Sequence, residues 1–330
     1  MKKVDLVVDM QYGSTGKGLI AGYLAEVNGY DTVINANMPN AGHTYINADG
    51  RKWIHKVLPN GIVSPNLKRV MIGPGSVFCP MRLMEEIEGS ADLLKDVEIL
   101  IHPNAVPLTY KFIENDQDVA WRVGGTGQGS GAALQAKVNR TAAIAFGSND
   151  WYTHLVCTHE EWRDALVASE RILAEGAQGF SLSVSERFYP YCTSRDCTPA
   201  RFLADMAVPV QMLNEVIGTV RTFPIRSGGN TGPCYPDQME IDWDLIGVQA
   251  ELATVTKKQR RLFTFSNTQI ADAMFGIMPS KIFLNFCNYY GRGNDELVEL
   301  INFLNSEAKK YNGRVEYLGF GPKFSDIESV

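Results

Sequence analysis

The chain is expected to fold as α/β, with a mostly parallel central sheet, helices on both faces and a P-loop-like nucleotide-binding layout. Three observations predict this. Short apolar runs alternate with segments of helical spacing from one end of the chain to the other. The first run, Val4 to Met10, passes through the glycine-rich turn Gly13-Ser14-Thr15-Gly16-Lys17-Gly18 into an apolar helix-forming segment. A composition of 45% hydrophobic and 21% charged residues over 330 positions supplies a large core and argues against disorder.

In chain order, the strand candidates are residues 6–9, 32–35, 69–72, 99–102, 172–174, 216–222, 282–286 and 315–318. Each is a short run with an apolar centre, as expected for strands of a parallel sheet covered by helices. Residues 81–88 and 162–168 have helical spacing. So do residues 296–310, where Leu297, Leu300, Ile301, Leu304 and Ala308 share one face behind an Asn294-Asp295 cap. Long loops are expected near residues 38–66, 122–142 and 222–262. No repeat, low-complexity tract or linker interrupts the pattern, so residues 1–330 read as one domain.

The bulk numbers exclude several classes of function. A net charge of −6 argues against a general nucleic-acid binder, although a local basic site could still hold phosphates. No apolar stretch approaches membrane-spanning length, and Met1-Lys2-Lys3 leads into a strand rather than a signal peptide. The six cysteines are scattered without metal-ligand spacing and read as free thiols of a reducing cytoplasm.

The first loop carries the chemistry. Its glycines let the backbone approach phosphates, successive N–H groups can point inward, and the helix start and Lys17 add positive charge. Its spacing is short, however, and Gly18 stands where Ser or Thr would ordinarily hold magnesium. Further glycine-rich or basic segments follow: residues 124–131, Arg226-Ser227-Gly228-Gly229-Asn230 and Lys257-Lys258-Gln259-Arg260-Arg261. Taken together they suggest several phosphate or carboxylate contacts around one site.

These motifs resemble those of the adenylosuccinate synthetase family, in order along most of the chain. Gln11 to Gly18 is similar to Q-W-G-D-E-G-K-G, Asn40-Ala41-Gly42-His43-Thr44 to N-A-G-H-T, and Glu175-Gly176-Ala177-Gln178-Gly179 to E-G-A-Q-G. Lys137-Val138-Asn139-Arg140, the segment Tyr189 to Ser194, and Thr256 to Arg261 match later motifs of the family. The resemblance implies a ligase that moves the γ-phosphoryl of a nucleoside triphosphate to O6 of a purine nucleotide, after which the aspartate amine displaces phosphate at C6. It also implies a set of roles. Gly13, Ser14, Thr15, Gly16, Lys17, Gly18, Gly42, His43 and Thr44 would surround the triphosphate, with His43 a donor to the transferring group. Asn288, Gly321 and Pro322 would flank the donor base. Ser14, Asn40, Thr126, Gln178 and Thr193 would hold the acceptor nucleotide, with Arg140 reaching its 5′-phosphate from the second subunit of a homodimer. Thr256, Lys258 and Arg260 would take aspartate, and Mg2+ would sit near Ser14 and the carbonyl of Gly42.

Two departures from the family pattern sharpen the expectation. Ser14 replaces an aspartate that removes the purine N1 proton; a serine hydroxyl is no base near neutrality, yet its small size leaves room at C2 for the amino group of guanine. This matches the viral branch of the family, and dGMP is the expected acceptor. Asn288 replaces the aspartate that selects GTP, and an amide suits the edge of adenine, so ATP or dATP is the expected donor. The alternatives are a conventional enzyme using IMP and GTP, and a silent nucleotide-binding homologue. The expected setting is the cytoplasm, that of the host if the protein is viral, with no nucleic-acid or membrane partner.

Overall fold

The computed structural model describes residues 2–253 and 257–330. All eight expected strands lie in one nine-stranded sheet. In chain order its strands are β1 (Val4–Asp9), β2 (Thr32–Asn35), β3 (Arg69–Ile72), β4 (Glu98–Ile101), β5 (Ile172–Glu175), β6 (Leu213–Arg221), β7 (Lys281–Asn285), β8 (Arg314–Gly319) and β9 (Ile327–Ser329). The spatial order is β9-β8-β7-β6-β1-β5-β2-β3-β4. Every pairing is parallel except β8 with β9. Strands β2 to β5 lie on one side of β1 and β6 to β9 on the other, so the winding reverses at β1. Ligand sites of open α/β sheets form beyond the carboxyl ends of the strands at such a reversal.

The alternation along β1 shows how its sequence serves two layers. Val4, Leu6 and Val8 join a core with Trp162, Phe202, Ile270, Met274, Leu300 and Leu304. Val7 points the other way, into a core with Leu19, Ile20, Leu24 and Leu83. By the same period of two, Asp9 falls on the Val7 face, beneath the loop that follows. Helix 295–309 has the expected cap: Asn294 Oδ1 accepts from the N–H groups of Glu296 (2.9 Å) and Leu297 (3.3 Å).

The three expected loops contain more structure than their composition suggested. The first holds a hairpin of His43–Ile46 with Lys52–His55. Helices Tyr110–Val123 and Ser130–Val138 border or occupy the second. The glycines that read as loop are helix caps: Gly124 (φ 68°) closes one helix and Gly129 (φ 86°) opens the next. The third holds a three-stranded sheet of Ile225–Arg226, Arg261–Phe263 and Glu240–Ile241. Strands of two or three residues are too short to carry an alternating signal. Strand β7 also stops one residue before its expected end, because Phe286 adopts φ 62°, and Asn288 lies in the short 3-10 turn that follows.

Candidate active site

At the carboxyl end of β1 the chain leaves a cleft of about 440 Å³. The phosphate loop forms one wall, and the buried Asp9 carboxylate organises it. Asp9 accepts from the N–H groups of Gln11 (2.9 Å) and Gly13 (3.1 Å), from the Thr15 hydroxyl and from Lys17 Nζ (3.1 Å). Thr15 is therefore buried under the loop, while Lys17 also donates to the Gln178 carbonyl at 2.7 Å. Gly16 (φ 95°) opens helix Lys17–Asn28, and no side chain caps that helix. The first-turn N–H groups stay available to an anion.

Gly18 has a steric reason. A Cβ there would lie 2.4 Å from Asn60 Nδ2, 2.8 Å from His43 Cβ and 2.9 Å from the Thr44 nitrogen. The missing side chain is what lets the helix approach the hairpin carrying His43. That histidine is held by Glu175, the last residue of β5: its Nδ1 lies 3.2 Å from Glu175 Oε2, while Oε1 accepts from the Gly61 N–H at 2.8 Å. A carboxylate only accepts, so Nδ1 carries the hydrogen and Nε2 is left for the cleft.

A second chain of bonds orients the amides opposite. The Arg195 guanidinium contacts Gln178 at 3.0 and 3.2 Å. Guanidinium only donates, so the atom it meets is the carbonyl oxygen of Gln178. The Gln178 amide then donates to Asn40 Oδ1 at 2.8 Å, which turns the Asn40 NH2 outward. Arg195 is itself completely buried, bonded to Asp205 (3.1 Å) and to the Ala36 carbonyl (2.8 Å), and burial pushes its pKa down.

Ser14 is in the left-handed region at φ 58°. Its Oγ accepts from Arg260 Nη1 at 2.9 Å and its carbonyl from Arg221 Nη1 at 3.2 Å. Arg221 Nη2 pairs with Glu251 at 2.8 Å, and its guanidinium stacks 3.8 Å from the centre of the Phe286 ring. Burial pushes the Arg260 guanidinium below its usual pKa and brings that of Arg226 down to about 10. The cleft is lined by Lys17, Lys56, Arg226 and Arg260, against which Glu251 is the sole carboxylate among the described residues. Thr193 Oγ1, also at the cleft, is buried with no partner among the described residues. Such a wall suits a polyanion bearing several phosphate groups.

Most of the residues singled out from sequence meet here: Gly13, Ser14, Gly16, Lys17, Gly18, Asn40, Gly42, His43, Thr44, Thr126, Gln178, Thr193 and Arg260 line the cleft. Arg140, Lys258, Asn288 and Pro322 are exposed, Gly321 is half-buried, and none of these lines it. Thr256 lies outside the described residues. The supports Asp9, Glu175, Arg195, Arg221 and Glu251 were missed. Glu175 opens a quoted motif and Arg195 directly follows another, so proximity to a motif was the available signal. Asp9 and Arg221 each end a strand beside the loop, a relation visible only after the strands pair.

The family model for adenylosuccinate synthetase matches residues 6–154 and 148–277. The N6-succino-2-amino-2′-deoxyadenylate synthase of Vibrio phage phiVC8 is 60% identical, over 99% of this chain and 98% of its own length. An adenylosuccinate synthetase from Methanocaldococcus jannaschii is 30% identical over 96% of this chain and 92% of its own. A solved structure of the succinoaminodeoxyadenylate synthetase of cyanophage S-2L, bound to dGMP and dATP as an energy donor, superposes with a TM-score of 0.91. It is 38% identical, and the match covers all of this chain and 95% of that one. Sequence, fold and the residues gathered at the cleft agree: this chain belongs to the adenylosuccinate synthetase family and is a C–N ligase.

Proposed function

We propose that the protein condenses L-aspartate with dGMP at the expense of ATP or dATP, giving 2-amino-2′-deoxy-N6-succinyladenylate. Ser14 is the observation that carries the choice of acceptor. It is a small neutral residue at the cleft, and both of its oxygens already accept from guanidinium groups. It offers space beside a purine without offering a base. The phage relative that is 60% identical has a name that describes this product, whereas the cellular relative is half as similar.

In this reading Lys17 and the open helix start hold the triphosphate, and His43 Nε2 faces the group in transfer. As O6 of dGMP bonds to the γ-phosphorus, the nucleoside diphosphate departs. The aspartate amine then attacks C6 and phosphate leaves with O6. Asn40, with its NH2 turned outward, acts with Thr126 and Gln178 on the acceptor nucleotide. The unpartnered Thr193 hydroxyl suits its 5′-phosphate, which Arg140 of a second subunit would complete in a homodimer. Arg260, Lys258 and Thr256 would bind the carboxylates of aspartate. Asn288, Gly321 and Pro322 would flank the adenine of the donor. The host cytoplasm is where these substrates would be met.

The residues present fit magnesium held chiefly by phosphate. The described residues contain no group of three or more His, Cys, Asp or Glu able to cage a metal, and Mg2+ is usually bound with few protein ligands beside substrate phosphates. The Gly42 carbonyl and the Ser14 hydroxyl, whose oxygen has a second lone pair beside its bond from Arg260, would be the protein ligands. When bound, the ion would neutralise charge on the phosphoryl group in transfer.

Aspartate-dependent phosphate release, measured with dGMP, GMP or IMP as acceptor and ATP, dATP or GTP as donor, tests the reading. Preference for dGMP with an adenine donor is expected; preference for IMP, or for GTP, overturns it.

A further inference from the structure

Transfer of a phosphoryl group to O6 of a 6-oxopurine requires loss of the N1 proton, and Ser14 is badly placed to take it. Its hydroxyl oxygen already accepts from the Arg260 guanidinium, and the same cation disfavours further positive charge there. Among the described residues that line the cleft, Glu251 is the one carboxylate. Its side chain is 31% exposed, and both its bonds to described residues fall on Oε1, from Arg221 Nη2 (2.8 Å) and from the Tyr289 hydroxyl (3.3 Å). That leaves Oε2 to the cleft.

Glu251 is also tied to the position where the acid is missing. One guanidinium, that of Arg221, donates through Nη2 to Glu251 and through Nη1 to the Ser14 carbonyl, so the two residues hang from opposite ends of the same group. Arg221 is completely buried and braced by the Phe286 ring, which makes the bridge rigid. The Glu251 carbonyl further accepts from the Arg260 N–H at 2.9 Å, and the side chain of Arg260 holds the Ser14 hydroxyl. A carboxylate is thus fixed two hydrogen bonds from Ser14.

We infer that Glu251 is the acceptor of the N1 proton, an assignment that rests on the proposed reaction with dGMP. As the proton passes to Oε2, the N1–H pair forms the N1=C6 bond. The C6=O6 π pair forms the bond from O6 to the γ-phosphorus, and the pair of the broken bridging P–O bond leaves on the nucleoside diphosphate. In the second step the amine attacks C6, phosphate leaves with O6, and it carries away the surplus amine proton.

The test compares wild type, Glu251→Gln and Glu251→Asp on dGMP and on 2-amino-6-chloropurine 2′-deoxyribonucleotide. The chloro analogue already carries a leaving group and has no N1 proton to lose. Glu251→Gln is expected to lower kcat on dGMP by about 10²- to 10⁴-fold with KM for dGMP and ATP within a few-fold. Displacement of chloride by aspartate should stay close to wild type, and Glu251→Asp should recover part of the dGMP activity. A Glu251→Gln variant within a few-fold of wild type on dGMP overturns the assignment. So does equal loss on both substrates, which would mark Glu251 as a structural brace of Arg221. Inactivity of the wild type on dGMP would instead overturn the proposed reaction itself.

Discussion

Removing the Glu175 carboxylate should separate the orientation of His43 from the rest of the site. Glu175 is 1% exposed and makes two bonds that nothing nearby replaces: it accepts from the Gly61 N–H at 2.8 Å and from His43 Nδ1 at 3.2 Å. In Glu175→Ala the buried Gly61 N–H loses its acceptor, which costs roughly 1–3 kcal/mol of stability. The imidazole loses the group that fixes its tautomer and direction. With His43 in the role proposed for it, misdirecting the ring should forfeit about 3–4 kcal/mol of transition-state stabilisation, a fall in kcat of about 10²- to 10³-fold. Glu175→Gln behaves differently. The amide oxygen can keep the Gly61 bond while its NH2 faces Nδ1, which forces the hydrogen onto Nε2. Stability should therefore return to near wild type, while kcat stays depressed because the carboxylate acceptor that fixes the Nδ1–H tautomer is gone. The assay is phosphate release with dGMP, ATP and aspartate, alongside denaturant unfolding. An alanine variant with kcat within about threefold of wild type would refute the orienting role.

Four further outcomes follow from the same structure. Ser14→Asp should move the preference among acceptors from dGMP towards IMP, read as the ratio of kcat/KM values, and should strengthen the pairing with Arg260, now bonded to the serine hydroxyl. Asn288→Asp should raise the use of GTP relative to ATP under matched concentrations. Gly18→Ser should lower the melting temperature and stability by about 1–3 kcal/mol, since its Cβ would sit 2.8 Å from His43 Cβ; an unchanged Tm would show that the helix and hairpin move apart freely. Burial lowers the pKa values of His55 and His102 to about 4, so the unfolded chain binds more protons than the folded one between that value and the usual 6.5 or so. Stability should fall as pH drops across that window, and His102→Leu should flatten the slope in denaturant titrations.

The sheet was legible because eight of its strands contain short apolar runs separated by segments of helical spacing. The ninth, Ile327–Ser329, buries only its first residue and pairs antiparallel at an edge, so its composition carries no strand signal. The helix Tyr110–Val123 escaped for a related reason: none of its residues is buried, and the glycines at its end look like loop until their left-handed angles reveal a cap.

For the site, the sequence by itself determined the reaction family, the phosphate loop and the absence of an acid at Ser14. Those properties belong to contiguous motifs, in which neighbouring residues act on one ligand group through a local backbone shape. Only the tertiary structure decided how the motifs are armed. Asp9 reaches Lys17 because the residue ending β1 faces the helix that follows the loop, Glu175 reaches His43 across 132 positions, and Arg195 sets the amides of Gln178 and Asn40. Arg221 joins Ser14 to Glu251 from 207 residues away from the former. Side chains that orient other side chains leave no periodicity in the chain, because strand order and register alone bring them within bonding distance. Ser14 is the point where the two meet: its identity leaves the loop without a carboxylate at that position, and the fold ties it through Arg221 to Glu251.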